Sequence, residues 1–333
     1  MKQGVIVENN EILNTGYLAA SDLTAFLNNM TPQGVYKYLR ENHIETILLN
    51  SRKRLVTPNG VRQLLQLKGF EYLKQIVAFQ MIKGGVGKTT LSGAVALRSN
   101  HYGSRTLQID LDLQGNLTRT YGVDSRELPV WLDVLQGKCP IQEAIIKIDS
   151  NLDLIPSNLN NSRLDIEMSS TNTNIRDVIR DKLAPILPNY DLVVIDCPPA
   201  LNKVSASALC AADTIIIPVT PDSYAMDGLE MTVSEIQRLK ASFKLKNMDY
   251  KVLWNKYDAR ERLGPIYMHD VAKDYPSEAM LPVVVRVDTA YKNALDTNSS
   301  IFNVSKNSNA RVDIDQLTRE ILGLNNWVES EKA

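Results

Sequence analysis

The feature that most constrains how this chain can fold is a glycine-rich loop at residues 83–90. An apolar run at residues 76–79 precedes it and predicts a β-strand, and a proline-free helical pattern follows at residues 91–100. Strand, glycine-rich loop and helix in this order are typical of a phosphate-binding loop, because glycines let successive N–H groups point at one anion and the helix N-terminus adds its positive end. The loop consists of Lys83, Gly84, Gly85, Val86, Gly87, Lys88, Thr89 and Thr90.

In such a loop Lys88 contacts the β- and γ-phosphates, Thr89 binds Mg²⁺ and Thr90 reaches the α-phosphate. The usual G-x-x-x-x-G-K-[ST] spacing is not complete, since Ile82 stands where the first glycine belongs and a second lysine, Lys83, begins the loop. The pattern K-G-G-x-G-K-T-T resembles the deviant Walker A box of the ParA/MinD/Soj ATPases. The resemblance implies ATP and Mg²⁺ as cofactors and an ATP-dependent homodimer in which Lys83 reaches the partner's phosphates during catalysis.

Beyond the loop, apolar strand candidates alternate with helical stretches. This alternation predicts a doubly wound, mainly parallel α/β sheet over residues 76–333, with ligands bound at the carboxyl ends of the strands. Several candidates are continuous apolar runs, as expected for strands buried on both faces. The candidates are residues 106–109, 152–155, 192–195, 214–219 and 251–254.

Acidic residues follow two of these strands. Asp110 and Asp112 lie in a segment similar to the D-x-D-P-Q-G-N box of the ParA group, although Leu113 replaces the proline. The resemblance places Asp112 beside the attacking water as a catalytic residue and Asp110 in the Mg²⁺ sphere. Asp196, which ends an apolar strand and begins a D-x-P-P sequence, has the Walker B arrangement and is predicted to hold Mg²⁺ through a water.

Two later segments carry weaker signals. The amide of Asn255, after the strand at 251–254, is positioned to read the adenine edge, but a simple turn fits this stretch nearly as well. The preference for ATP over GTP therefore rests on the resemblance. Arg286 and Lys292 are candidates for non-specific DNA contacts, with solvated surface residues as the alternative.

Residues 1–75 predict a separate small module. Leu18, Leu23, Phe26 and Leu27 recur at helical spacing behind a possible Ser21 cap, and a second helix begins at Thr31-Pro32. A two-stranded ribbon at 44–56 and a third helix at 61–67 follow, so the layout resembles a winged helix-turn-helix, as in some plasmid partition ATPases. A helical dimerisation module with a solvated basic loop is the alternative. The DNA-binding candidates are Gln33, Lys37, Arg40, Arg52, Lys53 and Arg54.

Composition limits the remaining options. The net charge is −1, so DNA contacts must come from local patches; residues 1–75 carry nine Lys/Arg against six Asp/Glu. Three scattered cysteines favour neither zinc nor disulfides, and no apolar run is long enough to span a membrane, so we expect a cytoplasmic protein. The resemblance to the ParA group further implies association with the nucleoid.

The function predicted from these features is a DNA partition ATPase, stimulated by a centromere-binding partner of the ParB type and able to repress its own operon. A related positioning ATPase with another cargo is the alternative, including a membrane-bound protein like MinD. The acidic tail at 311–333 disfavours the membrane, because MinD-like proteins end in a basic amphipathic helix. A relative of nitrogenase iron protein is disfavoured by the cysteine spacing.

Overall fold

The computed structural model describes residues 17–27, 30–49, 53–171, 173–296, 300–303 and 308–330. The strands are β1 (Leu18–Ala19), β2 (Thr46–Leu49), β3 (Lys53–Val56), β4 (Gln75–Phe79), β5 (Thr106–Asp110), β6 (Ile146–Asp149), β7 (Leu152–Ile155), β8 (Leu192–Asp196), β9 (Thr214–Val219), β10 (Asp249–Tyr257) and β11 (Met280–Arg286). The helices are α1 (Pro32–Glu41), α2 (Pro58–Leu67), α3 (Lys88–His101), α4 (Asn116–Thr120), α5 (Trp131–Leu135), α6 (Leu164–Ser170), α7 (Val178–Leu183), α8 (Lys203–Ala211), α9 (Ser223–Phe243), α10 (Gly264–Asp274), α11 (Thr289–Asp296), α12 (Asn309–Ile321) and α13 (Leu324–Ser330).

Eight strands form one sheet in the order β11-β10-β9-β4-β8-β5-β7-β6. All neighbouring strands in it are parallel except β6 and β7, which are antiparallel. Every residue of β5 and β8 is buried, as the continuous apolar runs predict for strands covered on both faces. The doubly wound α/β fold expected from the sequence is confirmed.

Helices cover both faces of this sheet. Along β4, Val77 and Phe79 belong to a hydrophobic cluster with Leu91 of α3 and Leu317 of α12. The alternate residues of β4 belong to a second cluster, which contains apolar residues of α8 and α9. Because side chains alternate along a strand, the two clusters lie on opposite faces of the sheet. The phosphate-loop strand is thus held at the centre of the molecule.

The N-terminal part forms a three-stranded antiparallel sheet, β1-β3-β2, with α1 and α2. Both helices begin as predicted, since the hydroxyls of Thr31 and Thr57 accept hydrogen bonds from the N–H groups of Gly34 and Gly60. The expected first helix, capped by Ser21, is wrong.

In place of that helix, β1 is followed by two 3₁₀ turns, Ala20–Asp22 and Thr24–Phe26. Pairing of β1 with β3 holds the start of this segment extended, and Leu23, Phe26 and Leu27 are still buried without a continuous helix.

This N-terminal part is packed firmly against the remainder. The Phe26 ring contacts Tyr102, at the end of α3, with ring centroids 5.9 Å apart, and Phe70 contacts Trp327 at 5.3 Å. An ion pair between Arg62 Nη1 of α2 and Asp191 Oδ2 spans 2.6 Å, with little exposure of either side chain. Residues 68–75 therefore connect two parts that share one core.

The C-terminal helices of the described chain are also packed inward. Ile314 and Leu317 of α12, and Leu324 and Val328 of α13, are buried in the cluster that contains α3. Within the described ranges, no helix combines the length and apolar character needed to cross a bilayer.

Candidate phosphate-binding site

The site is built where the carboxyl ends of three central strands meet. Strand β4 leads directly into the glycine-rich loop, and its last residue, Phe79, is paired with Asp196 at the end of β8. Asp196 is in turn paired with Asp110, the last residue of β5. The parallel register thus brings the loop and the two carboxylates to one edge of the sheet, as the sequence predicts.

The loop has the backbone conformation that its glycines permit. Gly85 and Gly87 have φ values of 76° and 92°, which are left-handed, and α3 begins immediately after Gly87. The Lys88 ammonium lies inside the loop and donates to the carbonyl oxygens of Met81 at 2.8 Å and Lys83 at 3.3 Å. Burial lowers the pKa of Lys88, although nearby Asp196 opposes this shift.

The second lysine points elsewhere. Lys83 Nζ lies 2.7 Å and 2.9 Å from the two carboxylate oxygens of Asp222. Asp222 is the N-cap of α9 and also accepts hydrogen bonds from the N–H of Ala225 and the hydroxyl of Thr220. The two lysines therefore point in different directions. Lys88 contacts carbonyl oxygens in and before the loop, whereas Lys83 contacts Asp222 at the edge of the site.

Asp196 is a buried carboxylate with no hydrogen-bond partner for either oxygen among the described residues. Burial raises its pKa well above the usual range, and repulsion from Asp110 adds to the shift, while Thr89 and Lys88 oppose it. A buried, unpaired anion is unfavourable unless a cation compensates it. The pair of carboxylates beside Thr89 fits a Mg²⁺ ion in that role.

No group of three His, Cys, Asp or Glu side chains forms a metal cage in the described parts of the chain. This agrees with Mg²⁺ chemistry, because Mg²⁺ keeps several waters and is usually bound through one or two carboxylates together with substrate phosphates. Thr89 and Asp196 are placed to supply the protein's share of such a site. The free cysteines are not part of it: Cys197 and Cys210 are buried, and Cys139 is half-buried at another location.

Asp110 is held differently from its neighbour. Its Oδ2 accepts hydrogen bonds from the Thr118 hydroxyl at 2.7 Å and the Thr118 N–H at 3.0 Å, and its Oδ1 accepts from the Asp112 N–H. Burial nevertheless raises its pKa to about 6. The Thr118 hydroxyl also accepts from the Ser157 N–H, so Asp110 anchors the loop that carries Asp112. Thr118 has no sequence signal apart from its position two residues after the acidic box.

The partly exposed Asp112 lies at the start of that loop. Its Oδ1 accepts from the Gln114 N–H at 3.0 Å, and its carbonyl accepts from the Gly115 N–H. Gly115 is left-handed, with φ of 59°, so the turn closes without the proline that Leu113 replaces.

The last residues of β10 are bound to the loop. Asn255 Nδ2 donates to the Val86 carbonyl at 2.7 Å, and Lys256 Nζ donates to the Gly85 carbonyl at 2.7 Å. The amide predicted to read adenine therefore has its donor engaged by the protein. Lys256 and Asp222 were not predicted. Asp222 lies shortly after β9, which neighbours β4, and Lys256 lies near the end of β10, the next strand of the sheet; polar residues at the carboxyl ends of these strands are the signal that could have indicated them.

Most of the predicted DNA-binding residues of the N-terminal part lie on α1 or β3. Gln33, Lys37 and Arg40 are exposed on α1. Arg54 is exposed on β3 and donates to the Thr46 hydroxyl at 2.8 Å. Arg52 and the side chain of Lys53 lie outside the described residues.

The two C-terminal candidates differ in their contacts. Lys292 is exposed on α11. The guanidinium of Arg286 pairs with the buried carboxylate of Asp313, with Nε 3.0 Å from Oδ2, and the Arg286 N–H donates to the same carboxylate. In this conformation Arg286 joins β11 to α12.

Comparison with known proteins gives a consistent result. A family model described as an AAA domain matches residues 74–250. The cell division protein PomZ of Myxococcus xanthus is 31% identical over 245 residues, which cover 72% of this chain and 75% of PomZ. The chromosome partitioning protein ParA of Caulobacter vibrioides is 34% identical over 215 residues, covering 62% of this chain and 80% of that protein.

A solved structure is similar over the same region. Cobyrinic acid a,c-diamide synthase from Mycobacterium smegmatis, with a bound ATP analogue and magnesium, has a TM-score of 0.62 and 26% identity, covering 77% of this chain and 96% of that one. The phosphate loop and the acidic strand ends described above lie within the residues that the family model matches.

Proposed function

The chain belongs to the ParA-type family of P-loop ATPases, and from this premise we propose that it is a DNA partition ATPase. It binds ATP and Mg²⁺, dimerises on ATP, and binds DNA as a dimer. A centromere-binding partner of the ParB type stimulates hydrolysis, which dissolves the dimer and releases the DNA. The ATPase activity belongs to the family; the cargo, the DNA and the partner are the proposal.

The divergence of the two lysines is the observation that carries this proposal. Lys88 occupies the interior of the loop, so one phosphate-binding cation is already supplied in cis. Lys83 is held at the rim by Asp222, with 30% of its side chain exposed. A single ATP needs no second lysine from its own loop, so Lys83 is available for the phosphates of a second copy.

The surface around Lys83 supports a partner of the same kind. Tyr224, on the first turn of α9, is 80% exposed, and Leu263 and Ile266 at the start of α10 are also exposed. Gly264 lies close to Pro221, so the two helix starts are neighbours. Apolar side chains beside the nucleotide site would be covered when two copies pair.

The chemistry follows from positions already described. Lys88 binds the β- and γ-phosphate oxygens, and Thr89 and Asp196 hold the ion. When bound, Mg²⁺ neutralises charge that develops on the transferred phosphoryl group. Asp112 orients the attacking water, and Asp110 holds the Asp112 loop in place through Thr118. Positioning and charge neutralisation account for most of the catalysis in phosphoryl transfer.

The proposed DNA contacts lie on the N-terminal module and on α11. Gln33, Lys37 and Arg40 form an exposed row on α1, consistent with a helix that enters a groove. Lys37 is only loosely paired with Glu41, at 3.8 Å. Arg286 requires release from Asp313 before it can contact a phosphate, so Lys292 is the more accessible cation in that region.

The alternative of a membrane-bound positioning ATPase has less support. A MinD-like protein needs a free amphipathic helix near its C-terminus. Here the apolar face of α12 is already buried against α3 and β11, and α13 packs on α12 with Leu324 and Val328 buried in the same cluster.

Lys83→Ala provides the test of dimerisation. We expect the parent to shift from the 37.3 kDa chain mass to twice that mass with ATP and Mg²⁺ in sedimentation experiments, and we expect the variant to remain monomeric. Lys273→Ala is the matched control, because Lys273 makes a similar exposed pair with Asp270 far from the loop. A variant that pairs and hydrolyses ATP like the parent would show that the proposal is wrong.

The same samples test DNA binding by gel shift with random-sequence duplex. We expect binding by the parent with ATP, little binding with ADP, and loss of ATP-dependent binding in Lys83→Ala. Equal DNA binding by the parent with ATP, with ADP and without nucleotide would contradict ATP-dependent DNA binding.

A further inference from the structure

We infer that Asn255 and Lys256 are positioning residues for the phosphate loop: from the end of β10 they fix two of its peptide groups so that its N–H donors face the nucleotide phosphates. This pair is called the β10 latch below. The inference depends on the nucleotide-binding part of the proposed function but not on dimerisation, DNA or the partner protein.

The first support is where the loop carbonyls point. Lys88 donates hydrogen bonds to the carbonyl oxygens of Met81 and Lys83. Lys256 donates to the carbonyl oxygen of Gly85, and Asn255 donates to that of Val86. The carbonyl of Gly87 accepts from Leu91 N–H inside α3. Most backbone carbonyl oxygens of the loop thus accept hydrogen bonds from the protein itself.

The second support follows from peptide geometry. In a trans peptide the C=O of one residue and the N–H of the next point in opposite directions. When Lys256 holds the Gly85 carbonyl, the Val86 N–H points to the opposite side, and when Asn255 holds the Val86 carbonyl, the Gly87 N–H does the same. Neither N–H donates a hydrogen bond of normal geometry to any residue that the structure describes. Such unpaired, aligned donors make an anion cradle.

The third support is the close approach of Asn255. A side-chain carbon at Gly87 would lie 2.4 Å from Asn255 Nδ2, which is shorter than any real contact. Glycine at this position therefore serves two needs, the left-handed φ of 92° and the room for the amide. Asn255 is nearly fully buried, so its hydrogen bond to the loop is shielded from water.

The fourth support is strain at Lys256. This residue has φ of 54°, a left-handed conformation unfavourable for a lysine and better suited to glycine or asparagine. Strained backbone is retained where the surroundings require it, often at a binding site. Here the strain directs the exposed Lys256 side chain back to the Gly85 carbonyl.

Lys256→Asn is the sharpest test, because asparagine suits the left-handed backbone but removes the ammonium. We expect unchanged or higher thermal stability together with a roughly 3–10-fold weaker affinity for Mg·ADP, as for the loss of one hydrogen bond. Lys256→Arg, which keeps a donor, should retain affinity within about 2-fold of the parent. Unchanged Mg·ADP affinity in Lys256→Asn would overturn the role of this lysine.

Asn255→Ala tests the buried half of the latch. We expect roughly 10–100-fold weaker binding of both Mg·ADP and Mg·ATP by calorimetry, since a buried partner is lost. The ratio of ATP to GTP affinity should stay that of the parent, and inhibition by inorganic pyrophosphate should weaken in parallel. A changed ATP-to-GTP ratio with unchanged pyrophosphate inhibition would instead show that Asn255 reads the base, and the latch would be wrong.

These outcomes are separate from those of the proposed function. Mg·ADP binding is measured on the monomer and needs no DNA. A parent protein that binds Mg·ADP but never dimerises would contradict the partition proposal and leave the latch to be decided by the variants alone.

Discussion

The unpaired carboxylate of Asp196 makes a specific prediction: Asp196→Asn should stabilise the nucleotide-free protein while abolishing hydrolysis. Both oxygens of Asp196 are buried, and neither accepts a hydrogen bond of normal geometry from a residue that the structure describes. Replacing the charge by a neutral amide of the same shape removes a buried charge that Thr89 and Lys88 offset only in part. The amide is still buried and polar, but keeping a neutral group from water costs less than keeping a charged one, so we expect the free energy of unfolding in EDTA to rise by about 2 kcal/mol.

That free energy can be converted into a melting shift. Unfolding entropy is about 2.1 cal/mol/K per residue, so for a chain of this length 2 kcal/mol corresponds to a rise in Tm of about 3 °C. The assay is thermal and urea unfolding at pH 8 in EDTA, alongside steady-state ATP hydrolysis with Mg²⁺. The order should reverse with Mg·ATP present, because only the parent can bind the ion fully and gain stability from it.

The pH dependence of the stability difference between Asp196→Asn and the parent tests the same explanation. Burial and Asp110 raise the pKa of Asp196 in the folded protein, so the folded state binds the proton more readily than the unfolded state. The parent is therefore penalised at high pH, and the penalty is relieved as the pH falls through the folded pKa. The stability gap between variant and parent should narrow as the pH falls from 8 toward 5. A variant that is less stable than the parent in EDTA at pH 8 would refute the reasoning.

Two further predictions concern ion pairs. Arg62→Ala leaves the buried carboxylate of Asp191 without its ion-pair partner, so we expect the free energy of unfolding to fall by about 3 kcal/mol. The measurement is urea denaturation, with Lys37→Ala, which breaks an exposed ion pair, as the control. A loss no larger than that of the control would contradict a docked N-terminal module. Asp222→Asn removes the partly exposed ion pair between Asp222 and Lys83, which contributes less than about 1 kcal/mol. Because Lys83 is then free to reach a second copy, ATP-dependent dimerisation should strengthen by about 2–5-fold in sedimentation experiments. Weaker dimerisation would show that Asp222 helps the dimer.

The sequence predicted the fold and most of the site because these depend on local patterns. Apolar runs located the central strands, and the parallel register then brought Asp110 and Asp196 together at one edge. The start of α1 was predictable because Thr31 and Pro32 act within a single helical turn.

The remaining features depend on contacts between distant parts of the chain. Nothing local indicates that Lys83 pairs with Asp222, which is 139 positions away. The sequence likewise does not show how closely the amide of Asn255, near the end of β10, approaches Gly87. The helix expected behind Ser21 failed for the same reason, since pairing of β1 with β3 overrides helical spacing.

The rigid seating of the N-terminal part has a consequence for DNA geometry. Phe26, Phe70 and Arg62 bind the N-terminal part to the ATPase core. We therefore expect α1 to keep one orientation relative to the nucleotide site. Two copies joined face to face would then carry their α1 helices at one set separation. An operator recognised by this pair would need half-sites at that interval, and separated copies would no longer match it.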